Sequence, residues 1–202
     1  PDLRGGKPFL KILNKADLAD PGATGTWIRH LENEPDVRAI SIQKDKPREV
    51  KALLDVARGM LPDRRKGGRP IMAMILGIPN VGKSTLINTI CGRSIAKVGN
   101  RPAVTQRQAR IKAAKDFVLL DTPGFLWPRL DPPVCGSRLA VTGAIKDAVL
   151  DLDEIAFFAA RYMLSRYPAQ VAAQYNIEEL PAEPYELLEH IGARRGCLNK
   201  GG

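Results

Sequence analysis

The 202 residues are 44% hydrophobic and 26% charged, which supplies one substantial core plus a small accessory unit. Thirty-one Lys and Arg against 22 Asp and Glu leave a formal charge of +9, pointing to a polyanionic partner such as RNA. Three scattered cysteines, Cys91, Cys135 and Cys197, exclude a CxxC metal knuckle or a complete disulfide framework and suit a reducing cytoplasm, and no apolar run reaches the roughly 18 residues of a membrane span.

No secretory signal pattern opens the chain, and with Pro1 at its start and LNKGG at its end it reads as a piece of a longer protein. Lys7–Leu13 (KPFLKIL) is an apolar strand leading into a polar loop, NKAD, at residues 14–17. A helix is expected around Ala23–Asn33, a second strand over Val37–Ile42, and a helix over Arg48–Leu61 with Val50, Leu53, Leu54 and Ala57 on one face. Residues 62–70 (PDRRKGGRP) form a basic connector without hydrophobes. Ile71–Leu76 is a continuously apolar strand, Gly77–Ser84 a Gly-rich turn, and Ser84–Cys91 a helix stopped near Gly92. Gln106–Ala113 and Asp116–Leu120 read as two strands around a tight turn. From Gly136 to Arg195 the patterns are helical, including Ile155, Phe158, Ala159 and Tyr162 at i, i+3, i+4 and i+7, and Pro168, Pro181 and Pro184 mark helix starts or turns.

Three loops carry chemistry. Residues 77–84 (GIPNVGKS) satisfy G-x-x-x-x-G-K-[ST] after a strand and before a helix, the context in which backbone amides and a helix N-terminus cradle phosphates. Asn80, Val81, Gly82, Lys83, Ser84 and Thr85 are its expected contacts; Lys83 would reach the β- and γ-phosphates, and the Ser84 hydroxyl would bind Mg²⁺. Asp121-Thr-Pro-Gly124 follows the strand FVLL, so that Asp121 would hold Mg²⁺ through water and the Gly124 amide would meet the γ-phosphate. In NKAD, Asp17 would accept two N–H bonds that guanine presents and adenine does not, while Asn14 braces the loop and the stem of Lys15 lies over the ring. Thr105, in the polar loop before DTPG, is placed to complete the Mg²⁺ shell. Each pattern has a plain alternative as a Gly-rich turn, a strand-end turn or an Asx turn; together, in these strand contexts, they indicate a guanine nucleotide.

The motifs stand in permuted order, NKAD before GIPNVGKS before DTPG. With LNKAD, GIPNVGKSTLIN, AKVGNRPAVT, LLDTPGFLWP, RLAVTGAIKDAVLDLDEIA and RRGCL, the sequence resembles the circularly permuted GTPases of the YlqF/RbgA family across essentially its whole length. The resemblance implies a circularly permuted P-loop GTPase fold, α/β with a doubly wound, mostly parallel sheet, followed by a small all-helical domain. It implies GTP/GDP and Mg²⁺ as ligands and a role in assembly of the large ribosomal subunit. Gln43 and Lys44 fall where the fifth, base-proximal element belongs, although no SAK sequence is present. Phe125 stands where many small GTPases place a water-orienting glutamine, so the catalytic group is unassigned, with Lys83, Thr105 and Gly124 as candidates. Asn80 resembles the asparagine of potassium-activated GTPases, which implies a K⁺ site. His30 and His190 match no family motif.

The expected domains are residues 1–135, a G domain made of 1–61, the connector 62–70 and 71–135, and residues 136–202, a helical domain. In the usual strand order a further strand lies between the NKAD strand and the P-loop strand, and its absence from these residues would lower stability. The leading functional reading is a cytoplasmic, monomeric GTP-hydrolysing switch, slow alone and stimulated by the subunit and K⁺. Its switches would be Asn100–Gln106 and Asp121–Pro133, its partners a large-subunit precursor and rRNA, with neither membrane nor DNA involved. Two alternatives stay open: a guanine-nucleotide module that holds its ligand without turnover, and an ATP-dependent kinase or ATPase in which NKAD is accidental.

Overall fold

Phe9–Leu13 forms β1 and Val37–Ser41 forms β2, paired in parallel with Phe9 opposite Val37 and Leu13 opposite Ser41. The computed structural model that shows this describes residues 5–43, 46–62, 70–95, 109–127, 129–145 and 150–197. Between the two strands lies α1, Pro21–Leu31, which starts two residues before the predicted Ala23. Asp20 is the cause: its Oδ1 accepts from Ala23 N at 2.6 Å, and Pro21 takes a first-turn position where its missing N–H is no loss. Helix α2, Pro47–Gly59, buries Val50 and Leu53.

Ile71–Ile75 is β3 and Lys83–Cys91 is α3, closed at Gly92 in the left-handed conformation. Ala109–Ala114 (β4) and Phe117–Asp121 (β5) make an antiparallel hairpin, and β5 also pairs in parallel with β3, giving the order β3-β5-β4. The register sets Asp121 opposite Ile75. The buried carboxylate therefore stands at the same sheet edge as the Gly-rich loop that begins at Gly77.

The described strands form two sheets, β1-β2 and β3-β5-β4, where a single doubly wound sheet was expected. Side-chain packing joins the two instead of a backbone ladder. Ile42, Val50 and Leu53 share one core with Ile71, Leu86, Ile87, Ile90, Ile111, Phe117 and Leu119, and Leu10 and Ile12 of β1 pack against it. A bidentate ion pair adds a second tie: Arg58 at the end of α2 donates from Nε to Asp116 Oδ2 at 2.9 Å and from Nη2 to Asp116 Oδ1 at 2.8 Å, at the β4–β5 turn. The apolar run of β3 predicts burial on both faces, yet Met72 and Met74 are 50% and 53% exposed. Helix α3 packs on β4 and β5 from the other face.

The chain divides into two compact units, Pro1–Leu126 and Trp127–Gly202. In the second, the described elements are α4 (Val134–Val141), α5 (Leu152–Arg166), α6 (Pro168–Tyr175) and α7 (Pro184–Arg195). Asp151 caps α5, accepting from the Asp153 and Glu154 amides at 3.1 Å, and Pro168 and Pro184 begin helices while Pro181 lies between two. Ala160, Val171, Ile177 and Leu187 form its core. The periodic residues Ile155, Phe158, Ala159 and Tyr162 do lie on α5, but Ala160 is the buried one, because α5 packs against α4, α6 and α7 together. No helix among the described residues is long and apolar enough to cross a membrane.

Candidate functional site

Three loops meet at the carboxyl ends of β1, β3 and β5. Asn14, directly after β1, donates from Nδ2 to the Val81 carbonyl at 2.7 Å. Its loop is also held to the neighbouring strand, where Ala16 N donates to the Ile42 carbonyl at 3.1 Å. Phe125 N, directly after DTPG, donates to the Gly77 carbonyl at 3.2 Å, so the Gly-rich loop is gripped from both sides. The Thr122 hydroxyl adds a bond to the Ile75 carbonyl at 2.6 Å. Thr122 has no role in the motif pattern alone; its place inside D-T-P-G, directly after β5, was the available signal.

These loops hold backbone conformations that are costly without a compensating purpose. Lys15 and Asn80 are left-handed at φ 59° and 55°, two of the four described non-glycine residues in that region. Gly82 lies at φ 94°, and a Cβ there would run into Asn14 Nδ2. At Gly124 a Cβ would fall 2.8 Å from Pro79 Cα and 2.9 Å from Pro79 N, so only glycine lets DTPG rest on the phosphate loop.

Lys83 Nζ donates to the Gly77 and Ile78 carbonyls at 2.9 and 2.8 Å, curled back over its own loop. Burial lowers its pKa from the ordinary lysine value, and the field of Asp121 opposes that shift. Asp121 itself is 2% exposed. A buried carboxylate, an ammonium partly stripped of water and the N-terminus of α3 thus converge, with Ser84 and Thr85 half-buried in its first turn. A carboxylate and a hydroxyl make a hard oxygen donor set of the kind Mg²⁺ takes, and the ammonium and helix terminus suit phosphate.

Asp17 lies on the short turn Ala16–Leu18, exposed, where a base edge could approach it. Gln43 lines a cleft of about 420 Å³ with Ala16, Ser41 and Lys46, beside α2 residues Glu49, Ala52, Leu53 and Val56. Lys44, Thr105, the Asn100–Gln106 switch and residues 63–69 of the connector lie outside the described residues. Phe125 is 60% exposed.

The sequence profile of the family described as "50S ribosome-binding GTPase" matches residues 72–177. Ribosome biogenesis GTPase A of Priestia megaterium is 44% identical over 97% of this chain and 70% of that protein, and the Bacillus cereus protein of the same name is 44% identical over 97% and 68%. The chain belongs to the ribosome biogenesis GTPase A family. Its fold agrees: a GNP-bound YlqF from T. maritima superposes with a TM-score of 0.58 at 25% identity, covering 96% of this chain and 69% of that one. The mixed α/β unit with its Gly-rich loop is thus a P-loop GTPase fold. In this fold the Asn14–Val81 contact fastens the NKAD loop to the Gly-rich loop.

Proposed function

We propose that this chain is a circularly permuted GTPase that binds GTP and GDP, hydrolyses GTP and acts in assembly of the large ribosomal subunit. The observation that carries the reading is the convergence of three loops, with Asn14 on the Val81 carbonyl and Phe125 N on the Gly77 carbonyl around Lys83 and Asp121. The permutation follows from the order in which these loops occur along the chain, base loop first. A doubly wound architecture tolerates such re-cutting because strand neighbours and edge loops keep their places. The G domain is assigned to residues 1–135, with halves 1–61 and 71–135 around the connector 62–70, and a helical domain to 136–202.

In this reading Asp17 accepts the two guanine N–H groups, Lys15 covers the ring, and Gln43 and Lys44 approach the base from the other side. The amides of Asn80, Val81, Gly82, Ser84 and Thr85 bind the phosphates, and the Lys83 ammonium exchanges the Gly77 and Ile78 carbonyls it now holds for phosphate oxygens. Ser84, Thr105 and Asp121 would hold Mg²⁺, whose chemistry when bound is to neutralise charge between the β- and γ-phosphates. Asn80, left-handed at the mouth of the loop with φ 55°, is assigned to a K⁺ ion that stimulates hydrolysis. The switch segments Asn100–Gln106 and Asp121–Pro133 report the γ-phosphate, and affinity for rRNA and the subunit precursor follows nucleotide state. The protein is placed in the cytoplasm as a monomer, with slow hydrolysis until the subunit and K⁺ are supplied.

One observation favours a second reading. The Phe125 ring, 60% exposed, can neither orient water by hydrogen bonding nor take a proton, which suits a module that holds nucleotide without turnover. Single-turnover hydrolysis with and without large ribosomal subunits, in matched K⁺ and Na⁺ buffers, separates the two. Turnover that rises with subunit and K⁺ supports the switch, and none under any condition supports the module. Guanine specificity is tested by Asp17→Asn, which should move preference from guanine toward xanthine nucleotides; unchanged GDP preference would refute the assignment of Asp17.

A further inference from the structure

The outer edge of β2 is closed by a side chain. On its inner edge β2 is bonded to β1 through even-numbered residues: Phe9 N donates to the Asp36 carbonyl at 2.9 Å and Ile42 N to the Leu13 carbonyl at 3.0 Å. Successive residues of a strand turn their backbone groups to alternate edges, so Val37, Ala39 and Ser41 present theirs to the far side. No strand pairs there among the described residues. Val37 N is met by the Glu34 carbonyl at 3.4 Å, and Ala39 N, in the middle of the strand, donates to Glu32 Oε1 at 3.1 Å. Glu32 is the first residue beyond α1, and Arg38 Nε lies 3.3 Å from the same oxygen, steadying the carboxylate over the edge.

The carboxylate oxygen thus stands where the carbonyl of an added strand would stand. The strand it covers, Val37–Ser41 and the following Ile42, is short, apolar on its inner positions and carries one charge. Unguarded edges of this composition are templates for pairing with another chain, and every copy of the protein carries the same edge. We propose that Glu32 is an edge guard: by occupying the Ala39 amide, it keeps β2 from pairing with β2 of a second copy.

The test compares Glu32→Ala, Glu32→Gln and the double variant Glu32→Ala/Ala39→Pro by sedimentation over a concentration series. Salt is set high enough to screen Arg38 against its counterpart. Amide exchange at Ala39 is read in parallel, and mant-GDP binding confirms that each variant is folded. Glu32→Ala should exchange the Ala39 amide on the order of ten-fold faster when dilute, as expected for loss of one such bond, and should associate as concentration rises. Glu32→Gln keeps an acceptor oxygen and should sediment like the parent. Proline at 39 removes the edge donor and is tolerated on edge strands, so the double variant should stay monomeric. Unchanged Ala39 exchange in Glu32→Ala, no association at any concentration, or equal association of the double variant would each overturn the proposal.

Discussion

At the scale of single residues, two contacts carry the site and each can be removed alone. The Asn14 Nδ2 bond to the Val81 carbonyl, 2.7 Å long, is the direct tie from the NKAD loop to the Gly-rich loop, the proposed base and phosphate loops. Asn14→Ala should weaken mant-GDP binding by about 1 kcal/mol, roughly five- to ten-fold, through faster dissociation. Stopped-flow release within error of the parent would show that the loops hold their positions without the tie. Gly124 poses a different question because the obstruction to a side chain is backbone, with Pro79 Cα 2.8 Å from the position of a Cβ. Gly124→Ala must therefore lift the DTPG loop and break the Phe125 N to Gly77 carbonyl bond. Since GDP lacks the phosphate that the Gly124 amide would meet, the variant should keep GDP affinity and lose about ten-fold or more for a GTP analogue. Equal losses for both nucleotides would mean that the glycine serves loop stability alone.

At the scale of elements, the sequence revealed types and order better than partners. Apolar periodicity sets the α1 start at Ala23, whereas the cap Asp20 and first-turn Pro21 set it two residues earlier, and both signals stand in the chain. The hairpin β4–β5 and the strand–loop–helix at residues 71–91 follow directly from apolar runs bounded by turn residues. Splitting into two sheets was not legible, because ladder pairing depends on which strand lies between others in space. Nor was the contact between Thr122 and Ile75, or the curl of Lys83 onto Gly77 and Ile78, since loop closure is a tertiary fact. The Arg58–Asp116 tie is another such long-range contact, joining α2 to the β4–β5 turn across 58 positions of sequence. The two carboxylates around Arg58, Asp116 and then Asp55, push its pKa upward, so the guanidinium stays charged over any working pH. A bidentate pair in partial solvent is worth about 0.5–1 kcal/mol. A double-mutant cycle with Arg58→Ala and Asp116→Ala, read from urea midpoints, should give a coupling in that range, while Arg58→Lys should recover less than half because an ammonium cannot match the fork. Additive single effects would reduce the pair to a surface contact with no share in holding the hairpin.

At the scale of the whole molecule, the excess of nine positive charges bears on the partner more than on the fold. The uncovered positive residues sit on both units, Arg110 and Lys112 on β4 and Arg161 and Arg166 on α5 among them. Binding to a large-subunit precursor through such residues would release condensed cations from RNA, so affinity should fall as a power of salt concentration. With about six phosphate contacts, the loss between roughly 50 and 200 mM salt would be on the order of a thousand-fold. The measurement needs K⁺ held constant and ionic strength raised with choline chloride, because K⁺ is itself assigned to Asn80. Performed with a GTP analogue, GDP and no nucleotide, it separates two causes of a nucleotide effect. If the nucleotide alters which basic residues reach RNA, the slope of log affinity against log salt changes between states. If it alters only the fraction of molecules able to bind, the lines shift in parallel, because the number of released ions is then the same. A salt slope near zero in every state would show that the charge excess plays no part in binding and would move the subunit contact to apolar surface such as the exposed Met72–Met74 face of β3.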